Sequence, residues 1–118
     1  MWFRPGTLLR LEGLFVAVVV LALYSRLGGN WLLFLLLILG PDVSMLGYLA
    51  GTRVGAAVYN LVHTYALPIA LGGYGFLQTN ALAVHVALIW LAHIGIDRML
   101  GFGLKYPTGF KDNHLNRV

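Results

Sequence analysis

Three of the four acidic residues in this 118-residue chain, Glu12, Asp42 and Asp97, lie among Leu, Val, Ala and Gly. His63 and His93 have similar surroundings. A charge at the centre of a bilayer costs roughly 2.5–3.5 kcal/mol on insertion scales, so ionisable groups placed there mark function by default. Carboxylates and imidazoles are the oxygen and nitrogen ligands of zinc and iron, and they also relay protons. Spacing adds to residue type. His93 and Asp97 are four apart and share a helix face one turn from each other; Asn60 and His63 are three apart and share one as well. Asp42 follows Gly40-Pro41, where a proline deletes a backbone hydrogen bond and kinks the helix. The lower half-helix then starts near Asp42, whose carboxylate could accept from its free N–H groups.

Three chemistries fit these residues. The first is a divalent metal site, with zinc favoured over iron, held by Asp42, His63 and His93 and carrying a water in the open position. Such an ion lowers the pKa of bound water, which is hydrolytic chemistry. Asp97 or Glu12 would act as base or orient a histidine. Asn60, Arg98 and His114 are supporting candidates, with His114 and Asp112 folding back over the mouth of the site. The ferritin-like di-iron pattern needs Glu-x-x-His pairs, which His93-x-x-x-Asp97 and Asn60-x-x-His63 do not reproduce. The second chemistry is a structural polar network. In it Asp42 caps its own half-helix, Glu12 pairs with Arg98 or Arg53, and the two histidines bond across helices. The third is proton or ion conduction, which four short helices would need a homo-oligomer to achieve.

The elements that must position these groups follow from composition. The chain is 59% hydrophobic and 10% charged, with mean hydropathy +0.81. Ordinary globular domains carry about 25% charged residues. These values define an all-α, polytopic membrane protein of one domain whose partner is membrane lipid. The net charge of +4 sits at span ends and in the tail rather than on an aromatic-interleaved basic stripe, which argues against nucleic acid. No cysteine is present, excluding thiolate metal sites and cysteine nucleophiles. The N-terminus lacks a small-x-small cleavage site, so a retained first span is expected rather than a signal peptide.

Four segments approach the roughly 20 residues needed to cross the hydrocarbon core: about 8–24, 31–50, 54–71 and 80–100, with a tail over 101–118. Asn30 is a candidate N-cap for the second, which is broken at Gly40-Pro41; Gly72-Gly73-Tyr74-Gly75 would end the third. Trp31–Leu39 alone is only ~14 Å of helix, so the second span must continue past Pro41. With the N-terminus inside, Arg4, Arg10, Arg53, Arg98, Lys105, Lys111 and Arg117 are cytoplasmic and Arg26 alone is outside. This asymmetry predicts a four-helix transmembrane bundle with both termini cytoplasmic. At 1.5 Å per residue, Asp42, His63 and His93 then lie roughly 10–14 Å below the cytoplasmic surface, with Glu12 and Asp97 shallower.

The other residues read as structural. His85 is satisfied at the outer end. Gly47, Gly51 and Gly55 permit a tight hairpin. Trp2, Tyr24, Trp31 and Tyr74 suit the aromatic belts, Trp90 packs in the bundle, and Tyr106-Pro107-Thr108-Gly109 is a turn. Gly101-Phe102-Gly103 follows a helix instead of preceding one and carries no nucleotide signal.

Several runs together resemble a known family. They are Pro41-Asp42-Val43-Ser44-Met45-Leu46-Gly47-Tyr48, Tyr59-Asn60-Leu61-Val62-His63-Thr64, Ala92-His93-Ile94-Gly95-Ile96-Asp97-Arg98, Gly101-Phe102-Gly103-Leu104-Lys105-Tyr106 and Gly109-Phe110-Lys111-Asp112-Asn113-His114-Leu115. Over nearly the whole chain they resemble the small bacterial membrane family DUF4260, a domain of unknown function. The resemblance implies a short multispanning protein and no particular activity. The Pro-Asp and histidine motifs are also similar to those of membrane-bound metal-dependent hydrolases, which ranks metal hydrolysis ahead of redox chemistry.

Overall fold

The computed structural model describes residues 4–105 and 113–117. Trp2, the 106–109 turn, Lys111 and Asp112 lie outside the described residues. Helix α1 spans Pro5–Arg26, with Pro5 at its first position, where the missing N–H costs nothing. Its 22 residues give about 33 Å, the thickness of a hydrocarbon core. Arg26 ends it, Gly28 adopts φ 73°, and the Gly29 N–H returns to the Tyr24 carbonyl at 2.8 Å.

Helix α2 covers only Trp31–Leu37, capped by the Asn30 side chain, which accepts from the N–H groups of Leu32 and Leu33. Seven residues make about 10 Å. The segment recovers its length in a different geometry. From Gly40 to Ala50 it is a 3-10 helix, which at about 2.0 Å per residue adds about 22 Å. Runs of this kind longer than three or four residues are uncommon. Here the narrow helix lies against α3 (Thr52–Val62) across a glycine contact. A Cβ on Gly47 would meet the Val58 Cβ at 3.1 Å and the Gly55 Cα at 3.4 Å, and one on Gly55 would enter the Tyr48 ring. Gly51, at φ 117°, makes the turn between them. The glycine triplet therefore builds a hairpin.

The third apolar segment is also broken, at a place its periodicity did not mark. Helix α3 stops at Val62, and α4 begins at Ala66 and runs to Leu77, so the glycines at 72–75 end no helix. Pro68 supplies the cause. Its nitrogen has no hydrogen to give to the Thr64 carbonyl four residues back, and its ring crowds that carbonyl. A proline in the third position of α4 is tolerated only because a new helix starts there. Helix α5, Ala81–Leu100, is continuous and starts on the Asn80 side chain. A short α6, His114–Arg117, follows.

The arrangement is all-helical, with four segments long and apolar enough to cross a membrane: Pro5–Arg26, Trp31–Ala50, Thr52–Leu77 and Ala81–Leu100. Helix α5 is the spine, packed by α1 on one side and α4 on another. Helices α1 and α5 meet through Gly13 and Gly95; a Cβ on Gly13 would stand 2.7 Å from the Gly95 carbonyl oxygen. Val20, Tyr24, Leu88, Ile89 and Ala92 form the core. Tyr24 is fully buried and its hydroxyl donates to the Asn30 carbonyl, so it belongs to the core and not to an aromatic belt. Trp31 and Tyr74 do face outward. Large apolar side chains cover the outside, with Phe76 79% and Leu49 88% exposed, as lipid-facing surfaces require.

Candidate metal centre

The two helix breaks face the same stretch of α5. A break frees carbonyls that have no intrahelical donor, and in an apolar surrounding each must find one. Side chains of α5 provide them. Trp90 Nε1 donates to the Val62 carbonyl at 2.6 Å, Arg98 Nη2 to the His63 carbonyl at 3.3 Å, and His93 Nδ1 to the Ile38 carbonyl at 2.6 Å. His63 closes α3 itself, with Nδ1 donating to the Tyr59 carbonyl at 3.0 Å while its ring stacks on Tyr59 at 3.7 Å.

These bonds decide the tautomers. A carbonyl only accepts, so each Nδ1 carries the hydrogen and each neutral ring presents a bare Nε2 lone pair. The two Nε2 atoms face each other at 3.2 Å. Asp42 Oδ1 lies 3.1 Å from His93 Nε2 and 3.6 Å from His63 Nε2; Asp97 Oδ2 lies 3.1 Å and 3.5 Å from the same atoms. Four electron-rich atoms thus converge within 4.8 Å of one another. Donors 2.0–2.1 Å from a common centre at tetrahedral angles stand about 3.3–3.4 Å apart. The five spacings that involve a histidine, 3.1–3.6 Å, bracket that value. The cluster could hold a metal ion, and its backbone-anchored histidines have the outer-shell partners that metal-bound imidazoles use.

Asp42, His63 and His93 therefore come together, and the Asp97 carboxylate stands beside them, 3.1 Å from His93 Nε2. Asp42 makes no capping hydrogen bond to the helix it begins; its oxygen is turned to the imidazoles. Glu12 is exposed on α1 and outside the four-donor group, and among the described residues it forms no salt bridge with Arg98 or Arg53. Asn60 points away from the ion position: its amide donates to the Lys105 carbonyl at 2.7 Å and accepts from the Lys105 N–H. Arg98 lies 5.2 Å from the Tyr65 ring centroid. His85 Nε2 meets the Leu27 carbonyl at 3.1 Å, at the far end of α5.

The segment after α5 completes the surroundings. Gly101, at φ 96°, ends the helix with its N–H on the Arg98 carbonyl and the Phe102 N–H on the Asp97 carbonyl, a paired termination that reverses the chain. Gly103, Leu104 and Lys105 then turn back toward α3. His114 closes on this strip instead of over the cluster: Nδ1 accepts from the Leu104 N–H at 2.7 Å and its own N–H donates to the Leu104 carbonyl at 2.8 Å. Burial, reinforced by Arg98, pushes the His114 pKa down, which keeps the ring a neutral acceptor. Lys105 is 5% exposed, and burial pushes its pKa down while Asp97 acts in the opposite direction. A cavity of about 250 Å³ opens here, lined by Asp42, Met45, Tyr59, Asp97, Phe102 and Lys105. Lys105 carried no marker in the sequence beyond its place in a polar tail.

The fold and site define a small all-helical protein with a His-Asp cluster, its histidines buried and its carboxylates half-buried, set between two helix breaks. The chain belongs to the family DUF4260, a domain of unknown function, whose family model matches residues 6–118. No curated protein and no solved structure matches it.

Proposed function

We propose that the cluster holds a divalent metal ion, zinc in preference to iron, and that the protein is a metal-dependent hydrolase acting on a lipid or amphipathic substrate from the cytoplasmic leaflet. One observation carries this: two imidazole Nε2 atoms and two carboxylate oxygens converge within 4.8 Å of one another while both imidazole Nδ1–H groups are committed to backbone carbonyls. A metal ion at their centre, or a proton on one Nε2 shared with a carboxylate, relieves the repulsion among those lone pairs. Nitrogen and carboxylate donors in this geometry suit zinc. The ion, when bound, would polarise the scissile group and acidify a water.

In this reading Asp42, His63 and His93 hold the ion. Asp97 takes the proton of the attacking water. The water oxygen bonds to the ester centre, the bond to the leaving oxygen breaks, and Asp97 returns the proton to that oxygen. Substrate and water approach through the cavity beside the two carboxylates. The cytoplasmic placement rests on the positive-inside asymmetry.

A full set of four donors also favours a second reading, a closed structural metal that clamps the two broken helices to α5. Asp97→Asn separates the two. Metal content is measured by elemental analysis and ester hydrolysis on micellar substrates. Retained metal with lost turnover supports the hydrolase. Metal lost along with thermal stability, from a wild type with no turnover, supports the clamp.

A further inference from the structure

A second cavity, of about 390 Å³, lies between the start of α1, the end of α5 and α6. Its α5 wall is Met99, two residues past Asp97 and so about 200° round the helix from that carboxylate at 100° per residue. The cavity is therefore separate from the His-Asp cluster. Leu115 of α6, itself buried, forms another wall.

The α1 wall changes character with depth. Arg4, Thr7 and Arg10 come first, and Leu11 and Leu14 follow. Thr7, Arg10, Leu11 and Leu14 are spaced i, i+3, i+4 and i+7, so they share one helix face. Arg4 to Arg10 covers about 9 Å of rise, and Leu14 lies about 6 Å further into the span. Arg10 is placed by the turn after α5. Gly101, at φ 96°, offers a bare backbone, and a Cβ there would stand 2.8 Å from Arg10 Nη2 and 3.0 Å from its Cζ. The guanidinium packs on that glycine. Among the described residues no acidic side chain lines the cavity, and every salt bridge lies inside the His-Asp cluster. Glu12, two residues past Arg10, is about 200° round α1 from it.

Leu11 and Leu14 are 42% and 37% exposed. No water reaches such side chains inside a bilayer, so an acyl chain covers them. The molecule that owns this chain has its headgroup at the arginine end. Guanidinium groups bind phosphate oxygens in bidentate fashion, and basic pockets between membrane helices on the cytoplasmic side take acidic headgroups. We propose that this cavity is a binding site for an acidic phospholipid, with Arg4, Thr7 and Arg10 on the phosphate headgroup and one acyl chain along Leu11 and Leu14 against Met99. The site depends on the membrane placement of the helices and is independent of the metal.

The test titrates the full chain in detergent with phosphatidylglycerol or with phosphatidylcholine of the same acyl chains. Native mass spectrometry resolves the first bound lipid and yields an affinity for each. The wild type is expected to prefer phosphatidylglycerol. Arg4→Gln and Arg10→Gln should each lower that preference about 5-fold, and the double variant about 30-fold. Arg4 is exposed at the very start of α1, so its variant guards against a loss of folding in Arg10→Gln. Thr7→Trp, which fills the headgroup end without changing charge, should also lose the preference. Arg53→Gln removes an exposed charge outside the cavity and should keep it. Equal binding of the two lipids by the wild type overturns the site. So does an unchanged preference in both arginine variants or in Thr7→Trp, or a loss in Arg53→Gln as large as in Arg10→Gln, which would mean diffuse surface charge. Calorimetry with inorganic phosphate is expected to show no binding; phosphate held as tightly as the lipid would assign a soluble anion and overturn the lipid.

Discussion

His93→Ala removes one of four donors and the group that satisfies the Ile38 carbonyl. Structural zinc sites bind with about 10–16 kcal/mol at neutral pH. An equal share for each of four donors is about 2.5–4 kcal/mol, or two to three decades in Kd at about 1.4 kcal/mol per decade. The freed carbonyl adds about 1–3 kcal/mol of destabilisation that does not depend on metal. Two effects should therefore separate. Metal affinity falls about 100- to 1,000-fold, read by competition with a chromophoric chelator. The thermal midpoint falls even in the presence of EDTA, because the broken second span loses its donor. In the wild type, free zinc at 100 times Kd should contribute about 2.7 kcal/mol of stability, and this increment should vanish in the variant. His85→Ala, at the other end of α5, is the control and keeps the zinc increment. Equal trace metal in wild type and His93→Ala after zinc-supplemented purification would refute the centre. An unchanged EDTA midpoint would refute the carbonyl argument.

Other outcomes follow from separate features. Gly13→Ala places a methyl 2.5 Å from the Arg98 Cβ and 2.8 Å from the Met99 nitrogen, so α1 and α5 must part at a cost of about 1–3 kcal/mol. Gly73→Ala, inside α4, meets nothing within 4 Å and should not lower the midpoint in the same thermal scan, since alanine is the better helix former. His114 has a pKa lowered from its ordinary 6.5, so below that pH the unfolded chain binds a proton the folded one refuses. Stability is then fully present above pH 6.5 and lost progressively as pH falls from there through the lowered folded-state value. His114→Gln should flatten this dependence, measured as midpoint against pH at fixed salt. A reporter fused after Val118 should read out as cytoplasmic; a periplasmic signal would overturn the placement of the site in the inner half of the bilayer.

Much of the architecture was legible because it depends on local quantities. Apolar length marks a span whatever its neighbours are, so four crossings could be counted. Gly40-Pro41 announced the break in the second span, and Asn30 the cap of α2. The break in the third span also had a sequence cause, Pro68, but the glycines at 72–75 were the louder signal and they proved compatible with a helix. Tyr24 illustrates the opposite failure. An aromatic near a span end fits an interfacial belt, yet the Gly28-Gly29 turn folds Asn30 back onto its hydroxyl and buries it.

The candidate site divides along the same line. Rise per residue is set by backbone hydrogen bonds within one helix, so counting along the sequence could expect Asp42, His63 and His93 on one level, although the 3-10 geometry of Gly40–Ala50 rises faster than the count assumed. Rotation about each helix axis and the distance between helices depend on packing far along the chain. Only the tertiary structure could therefore turn Asp97 into the ring of donors, leave Glu12 on the outer face of α1, and divert Asn60 to Lys105. The cavity wall is the extreme case: Lys105 reaches it through a left-handed glycine at position 101, and its contacts with Asn60 span 45 residues, a closure that no local pattern encodes.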